Sequence, residues 1–147
     1  MSLNFKNIQK ILIPTDGSDY SIRAAEYGVS VAKMLGAQIT VLYVMDAVVL
    51  DQISKVAERD NVERELKQDG QRYINYVLGL AEKEGVKASS LIAKGRPFEQ
   101  IVHSAKELNM NLIVMGTYGR RGAERILIGS VAERVIEYSS CPVLVVK

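Results

Sequence analysis

The residues of this sequence best suited to chemistry are glycines and hydroxyl side chains at the ends of apolar runs. Pro14-Thr15-Asp16-Gly17-Ser18 follows the run Ile11 to Ile13, and Lys94-Gly95-Arg96-Pro97 follows Ala88 to Ala93. Gly116-Thr117-Tyr118-Gly119-Arg120-Arg121-Gly122 follows Leu112 to Met115, and Gly129-Ser130-Val131 opens a segment with helical spacing. Glycine lets a backbone approach an anion closely, and a helix N-terminus offers unpaired N–H groups with roughly half a positive charge from the macrodipole. The chemistry indicated is a phosphate cradle. Two common forms are disfavoured: there is no G-x-x-x-x-G-K-[ST] of a P-loop ATPase, and no G-x-G-x-x-G after a strand for a dinucleotide.

The elements that must position these residues follow from the apolar pattern. Five runs rich in Val, Ile and Leu (Ile11 to Ile13, Gln38 to Val44, Ala88 to Ala93, Leu112 to Met115 and Val143 to Val146) read as buried strands. Between them lie helical segments. The first, after Ser18, places Ile22, Ala25, Val29 and Ala32 on one face and stops at Gly36. The second carries Leu66, Gly70, Tyr73, Val77 and Leu80 and stops at Gly85. The third begins at Pro97 with Ile101, Ala105 and Leu108 inward, and the fourth runs from Ser130 to Tyr138. The stretch from Asp46 to Asn61 is the least regular and reads as a loop or flap. The order βαβαβαβαβ, with strands apolar throughout, predicts an α/β fold: an open, doubly wound, five-stranded parallel sheet with helices on both faces. Ligands of such sheets bind beyond the carboxyl ends of the strands, where the glycines and hydroxyls fall. The pattern leaves the order of strands in the sheet open.

Length and composition bound the alternatives. A chain of 147 residues reads as one domain, 1–147, and 19 basic against 17 acidic residues give a net charge of +2, too little to indicate nucleic acid or an anionic membrane as partner. Apolar residues at 48% and charged residues at 24% are those of a folded globular chain. Cys141 is the single cysteine and His103 the single histidine, which excludes an internal disulfide and a clustered zinc site, so no metal site made by side chains is expected. The N-terminus lacks a secretory pattern and no run approaches the ~18 apolar residues of a membrane span, so a cytoplasmic protein is expected.

The spacing Gly116-x2-Gly119-x9-Gly129-Ser130 closely resembles that of the universal stress protein family, in its nucleotide-binding branch. The likeness spans nearly the whole chain: Pro14-Thr15-Asp16 with Ser18 and Ser21, Tyr43-Val44-Met45-Asp46, Gly95-x-Pro97, Leu112 to Gly116, Gly129-Ser130-Val131-Ala132 and Cys141-Pro142-Val143-Leu144-Val145-Val146. One departure is Asn111, where the family usually has Asp; Asn keeps the size and the acceptor oxygen, so the expected consequence is structural. The resemblance implies a Rossmann-like sheet of order 3-2-1-4-5 and bound ATP with Mg²⁺ or Mn²⁺ held mainly by the phosphates. It implies that Asp16 lies against the nucleoside with Pro14 and Thr15, that Val44 bonds the adenine edge through its backbone, and that Gly95 lies at the pocket edge. Gly116, Gly119, Gly129, Ser130 and Val131 would hold the triphosphate.

Simpler roles stand beside these. Gly116 and Gly119 could be turn glycines, Ser130 a helix N-cap, and Asp16 the cap of the first helix. Arg120, Arg121 and Arg125 could face water, His103 has no triad partner, and Cys141 reads as a structural thiol. Functionally, the family likeness implies an ATP-binding sensor of the stress response that signals to a downstream protein. The alternatives are a slow ATPase or nucleotidyl-transfer enzyme, or a nucleotide-free dimeric interaction module. The carboxylate assigned to the site at the strand ends is Asp16, at the nucleoside end and away from the γ-phosphate, so catalysis is expected to amount at most to slow hydrolysis or autophosphorylation. Only Lys147 follows the last strand; if that strand lies at a sheet edge, Val143, Leu144, Val145 and Val146 are expected to pair with a second copy in a homodimer.

Overall fold

The computed structural model describes residues 7–118 and 128–147. Five parallel strands, β1 (Lys10–Pro14), β2 (Gln38–Asp46), β3 (Ala88–Gly95), β4 (Leu112–Gly116) and β5 (Val143–Val146), form one sheet in the order β3-β2-β1-β4-β5. The helices are α1 (Asp19–Leu35), α2 (Ala47–Asp51), α3 (Val56–Lys83), α4 (Pro97–Glu107) and α5 (Ser130–Tyr138). The open, doubly wound parallel sheet with order 3-2-1-4-5 is therefore present.

Central strands carry the core because both of their faces are covered. Ile11 and Ile13 face Ala24, Ala25, Val29 and Ala32 of α1 and Ile74 and Val77 of α3. Leu12 and Ile113 face Ile101 and Ala105 of α4 and Ala132 and Val135 of α5. Each fully buried Leu or Ile contributes about 1.5–3 kcal/mol relative to an exposed one, which is why the alternation of faces along β1 fixes its register. The register is also pinned by Asn111, whose Oδ1 accepts from the backbone N–H of Gln9 at 3.0 Å and of Lys10 at 2.9 Å. The acceptor oxygen that Asn shares with Asp is the atom in use.

Helix ends follow local chemistry. Ser18 caps α1 by accepting from Ser21 N–H, and Gly36 closes it in the left-handed conformation at φ 67°. Pro97 occupies the first turn of α4, where its missing N–H costs nothing. Beyond α3, Gly85 at φ 68° lets Val86 N–H reach back to the carbonyl of Ala81.

Two expectations need correction. The stretch from Asp46 to Asn61 is not one loop: Asp46 caps the short α2 by accepting from Val48 N–H, and α3 already starts at Val56. The first turns of α3 contribute no buried residue until Gly70, so a mostly polar sequence there is compatible with helix. The strands are also not uniformly buried, since β3 shows Ser89, Ser90 and Leu91 to solvent as an edge strand and β5 exposes Leu144.

Candidate functional site

The carboxyl ends of the strands gather most of the candidate residues at one end of the sheet. At the end of β1, Pro14 and Thr15 are buried. Thr15 N–H donates to the carbonyl of Leu42 at 2.9 Å, which fixes the exit of β1 beside β2. The Thr15 and Ser21 hydroxyls meet at 3.3 Å, and Ser21 Oγ donates to the carbonyl of Ser18 at 2.9 Å. Asp16 is half-buried, and its Oδ1 accepts from Ser18 N–H at 2.9 Å. Asp16 thus holds the capping residue of α1 in a tight turn while Ser18 does the capping itself. Gly17 completes that turn at φ 80°, with the Tyr73 ring of α3 filling the space beside it.

Val44, near the end of β2, pairs in register with Ala93 of β3, and Asp46 pairs with Gly95. Val44, Ala93, Phe98, Ile128 and Val131 all pack against the core cluster of Leu12, Leu42 and Met115, on the face covered by α4 and α5. The structure therefore places Val44 and Val131, 87 positions apart in sequence, on one wall. Gly95 lies at the β3 exit under Gln100, and Lys94 beside it pairs with Glu63 of α3 at 2.6 Å.

At the β4 exit the glycines serve the protein's own packing. A Cβ on Gly116 would stand 2.8 Å from the carbonyl carbon of Tyr20, and one on Gly129 would stand 2.9 Å from the carbonyl oxygen of Thr117. Gly129 N–H donates to that oxygen at 2.7 Å, closing the segment between them at its base. Thr117 N–H in turn donates to the carbonyl of Val146 at 3.0 Å, tying the exit of β4 to β5. Gly119, Arg120, Arg121 and Arg125 lie outside the described residues.

Gly129, not Ser130, is the N-cap of α5, and among the described residues no side chain caps that helix. Ser130 is its first residue and its side chain is exposed. The reading of Ser130 as N-cap is thus corrected: Gly129 already holds the extended capping conformation, φ −72° and ψ 158°. An uncapped helix N-terminus entered through glycine leaves first-turn N–H groups available to an anion.

The sequence reading places Thr117 and Tyr118 in the stretch after the fourth apolar run but gives them no binding role, and it does not single out Tyr20. Thr117 is a buried hydroxyl residue directly after a strand, a signal present in the sequence; the Tyr20 and Tyr118 rings come together only in the fold. A cavity of about 550 Å³, lined by Lys33, Gly36, Gln38 and Glu84, lies at the opposite, amino end of the strands. It holds none of the candidate residues. His103 is exposed on α4, and Cys141 is half-buried with its N–H donating to Ser139 Oγ. Among the described residues no group of three or more His, Cys, Asp or Glu side chains is placed to hold a metal, and no helix is long and apolar enough to cross a membrane.

Comparison with known proteins agrees with this architecture. The universal stress protein family profile matches residues 7–147. The universal stress protein MJ0531 of Methanocaldococcus jannaschii is 43% identical over 95% of this chain and 82% of its own length. The solved structure of MJ0577, a universal stress protein of the same organism, superposes with a TM-score of 0.85 at 29% identity, covering 95% of this chain and 96% of that one. A universal stress protein from Archaeoglobus fulgidus, solved in complex with dAMP, shares the fold with a TM-score of 0.70 at 22% identity, covering 95% of this chain and 98% of that one.

Proposed function

The chain belongs to the universal stress protein family, and from that premise we propose that it is an ATP-binding sensor of the stress response, which works in the cytoplasm and signals its nucleotide state to a downstream protein. The observation that carries this reading is the N-terminus of α5: entered through Gly129, uncapped by any side chain among the described residues, and anchored at the same end of the sheet as the β1 and β2 exits. The complex of the Archaeoglobus protein with dAMP is compatible with an adenine nucleotide on this fold.

In this reading the nucleoside lies against Pro14, Thr15 and Asp16, with the adenine edge read by the Val44 backbone and Gly95 at the rim. The phosphates lie toward Gly116, Gly119, Gly129, Ser130 and Val131. First-turn N–H groups of α5 neutralise phosphate charge without any side chain having to move. A Mg²⁺ or Mn²⁺ ion carried by the phosphates would supply further neutralisation. The same reading includes a homodimer through β5.

Isothermal titration of ATP with Mg²⁺ into wild type and Ser130→Glu tests the proposal. Glutamate in the first turn of a helix favours the helix by about 0.3–1 kcal/mol, so the variant should fold at least as well as wild type. Its carboxylate competes with the phosphates for the same N–H groups, and ATP affinity should fall by about tenfold or more. Failure of wild type to bind ATP, or undiminished binding by the folded variant, would overturn the assignment.

A further inference from the structure

Tyr20 lies in the first turn of α1 and touches the β4 exit in two ways. Its main chain is the surface against which Gly116 presses, with carbonyl carbon and oxygen 2.8 and 2.9 Å from where a Gly116 Cβ would be. Its ring meets that of Tyr118 in an edge-to-face pair, centroids 5.1 Å apart and planes at 68°. The guanidinium of Arg23, one turn along α1, stands over the Tyr20 ring at 4.9 Å from its centroid. Tyr20, Arg23, Thr117, Tyr118 and Lys147 line a cavity of about 350 Å³.

The hydrogen bond from Gly129 N–H to the Thr117 carbonyl sets the base of the segment between β4 and α5. Tyr118 is the first residue inside that closure, and the ring pair reaches it from a different helix. Arg23 favours one placement of the Tyr20 ring, since a cation over an aromatic face is attracted by the ring quadrupole. The ring pair therefore links α1 to the entry of α5, because the Tyr118 Cα and ring edge lie 3.3 and 3.6 Å from where a Gly129 Cβ would be.

We infer that Tyr20 is a positioning residue for nucleotide binding: by holding Tyr118 through the ring contact, it sets how tightly the phosphate chain, but not the nucleoside, is bound. The inference rests on the nucleotide-binding reading above. Nucleoside contacts in that reading come from Asp16 and Val44, which lie outside the ring pair, so the effect should grow with the number of phosphates.

The test measures dissociation constants for ATP and AMP, both with Mg²⁺, on wild type, Tyr20→Leu, Tyr20→Phe, Tyr118→Leu and the double leucine variant. An edge-to-face pair is worth a factor of about three to ten, so Tyr20→Leu should weaken ATP by about that factor and AMP by less than about twofold. Tyr20→Phe, which keeps the ring, should match wild type. Tyr118→Leu should reproduce the loss, and the double variant should lose no more than either single change because the two rings act as one contact. Unchanged ATP affinity in either leucine variant, equal losses for ATP and AMP, or additive losses in the double variant would each overturn the role of Tyr20. If one leucine variant fails to fold, the ATP-to-AMP ratio of the other decides. A wild type that binds neither nucleotide would instead overturn the nucleotide reading itself.

Discussion

The ring of Tyr43 on β2 fills the space beside Gly70 of α3 so closely that a Cβ there would stand only 2.0 Å from a ring carbon. Tyr43 is 5% exposed and cannot swing away, so Gly70 is the point where the long helix settles onto the sheet. Gly79, nine residues along the same helix, has no atom within 4 Å of where its Cβ would be. Replacing either glycine with alanine gains up to about 1 kcal/mol of helix propensity. At Gly70 the overpacking cost of about 1–3 kcal/mol exceeds that gain, so Gly70→Ala should destabilise and Gly79→Ala should stabilise. Urea denaturation of the two variants measures the signs directly; a stabilised Gly70→Ala would mean that α3 does not sit against Tyr43 as described.

At Gly129 the need for glycine comes from proximity. Its φ of −72° suits any residue, but a Cβ would stand 2.9 Å from the Thr117 carbonyl oxygen and 3.3 Å from the Tyr118 Cα, both main-chain atoms. Gly129→Ala should therefore cost about 1–3 kcal/mol in the ligand-free protein, read as a lower urea midpoint. A bulkier Gly129→Glu would disturb the fold locally as well as any ligand, so it cannot separate the two effects as Ser130→Glu does. An unaltered midpoint in Gly129→Ala would show that the segment closes without the contact between Gly129 and Thr117.

Much of this was legible in the sequence because it is local. The apolar runs end at Ile13, Ala93 and Met115, within two residues of the strand ends at Pro14, Gly95 and Gly116, and the Pro97 start of α4 and the glycine stops of α1 and α3 are set by conformational preferences of single residues. The misreadings share a cause. α2, with only Ala47–Asp51, is too short to show a period, and the exposed start of α3 has little apolar stripe to reveal. The exposure of β3 and β5 depends on which strands end up at the edges, a property of strand order that no local pattern carries. The pair of Tyr20 with Tyr118 spans 98 positions of sequence and is likewise created by topology.

One titration is predicted away from the site. Lys33 Nζ donates to Glu84 Oε2 at 2.6 Å, and this hydrogen bond, followed by the Coulomb attraction of the ammonium, holds the Glu84 carboxyl below its ordinary range. A carboxyl whose folded pKa is depressed stabilises the fold above its unfolded pKa, and that stabilisation is lost as pH falls through the folded value. Both side chains are exposed, so salt should screen the pair. Wild type should therefore melt slightly above Glu84→Gln at neutral pH and low salt, with the gap closing in acid and in about 1 M salt. A gap that ignores both variables would have to come from something other than this ion pair.

The final prediction concerns assembly and turns on a difference between the two sheet edges. β3 is one edge and β5 the other. β3 carries Ser89, Ser90 and Lys94, and Lys94 is paired with Glu63 of α3, so this edge has the polar and charged side chains that discourage pairing. β5 is Val143-Leu144-Val145-Val146, without a polar side chain, and Leu144 is 38% exposed; Ile136 on α5 is 49% exposed. Unpaired N–H and C=O groups on an apolar strand favour a second strand of the same kind. Two copies of β5 meeting antiparallel about a two-fold axis satisfy both edges at once and close the assembly at two chains. Light scattering should therefore give the mass of two chains for wild type. Val145→Lys places a charge beside its own copy near that axis and should shift the mass toward one chain, since like charges directly opposite each other across strands destabilise pairing. A wild type that stays monomeric at high concentration would remove the dimer, and a dimer untouched by Val145→Lys would move its interface away from β5.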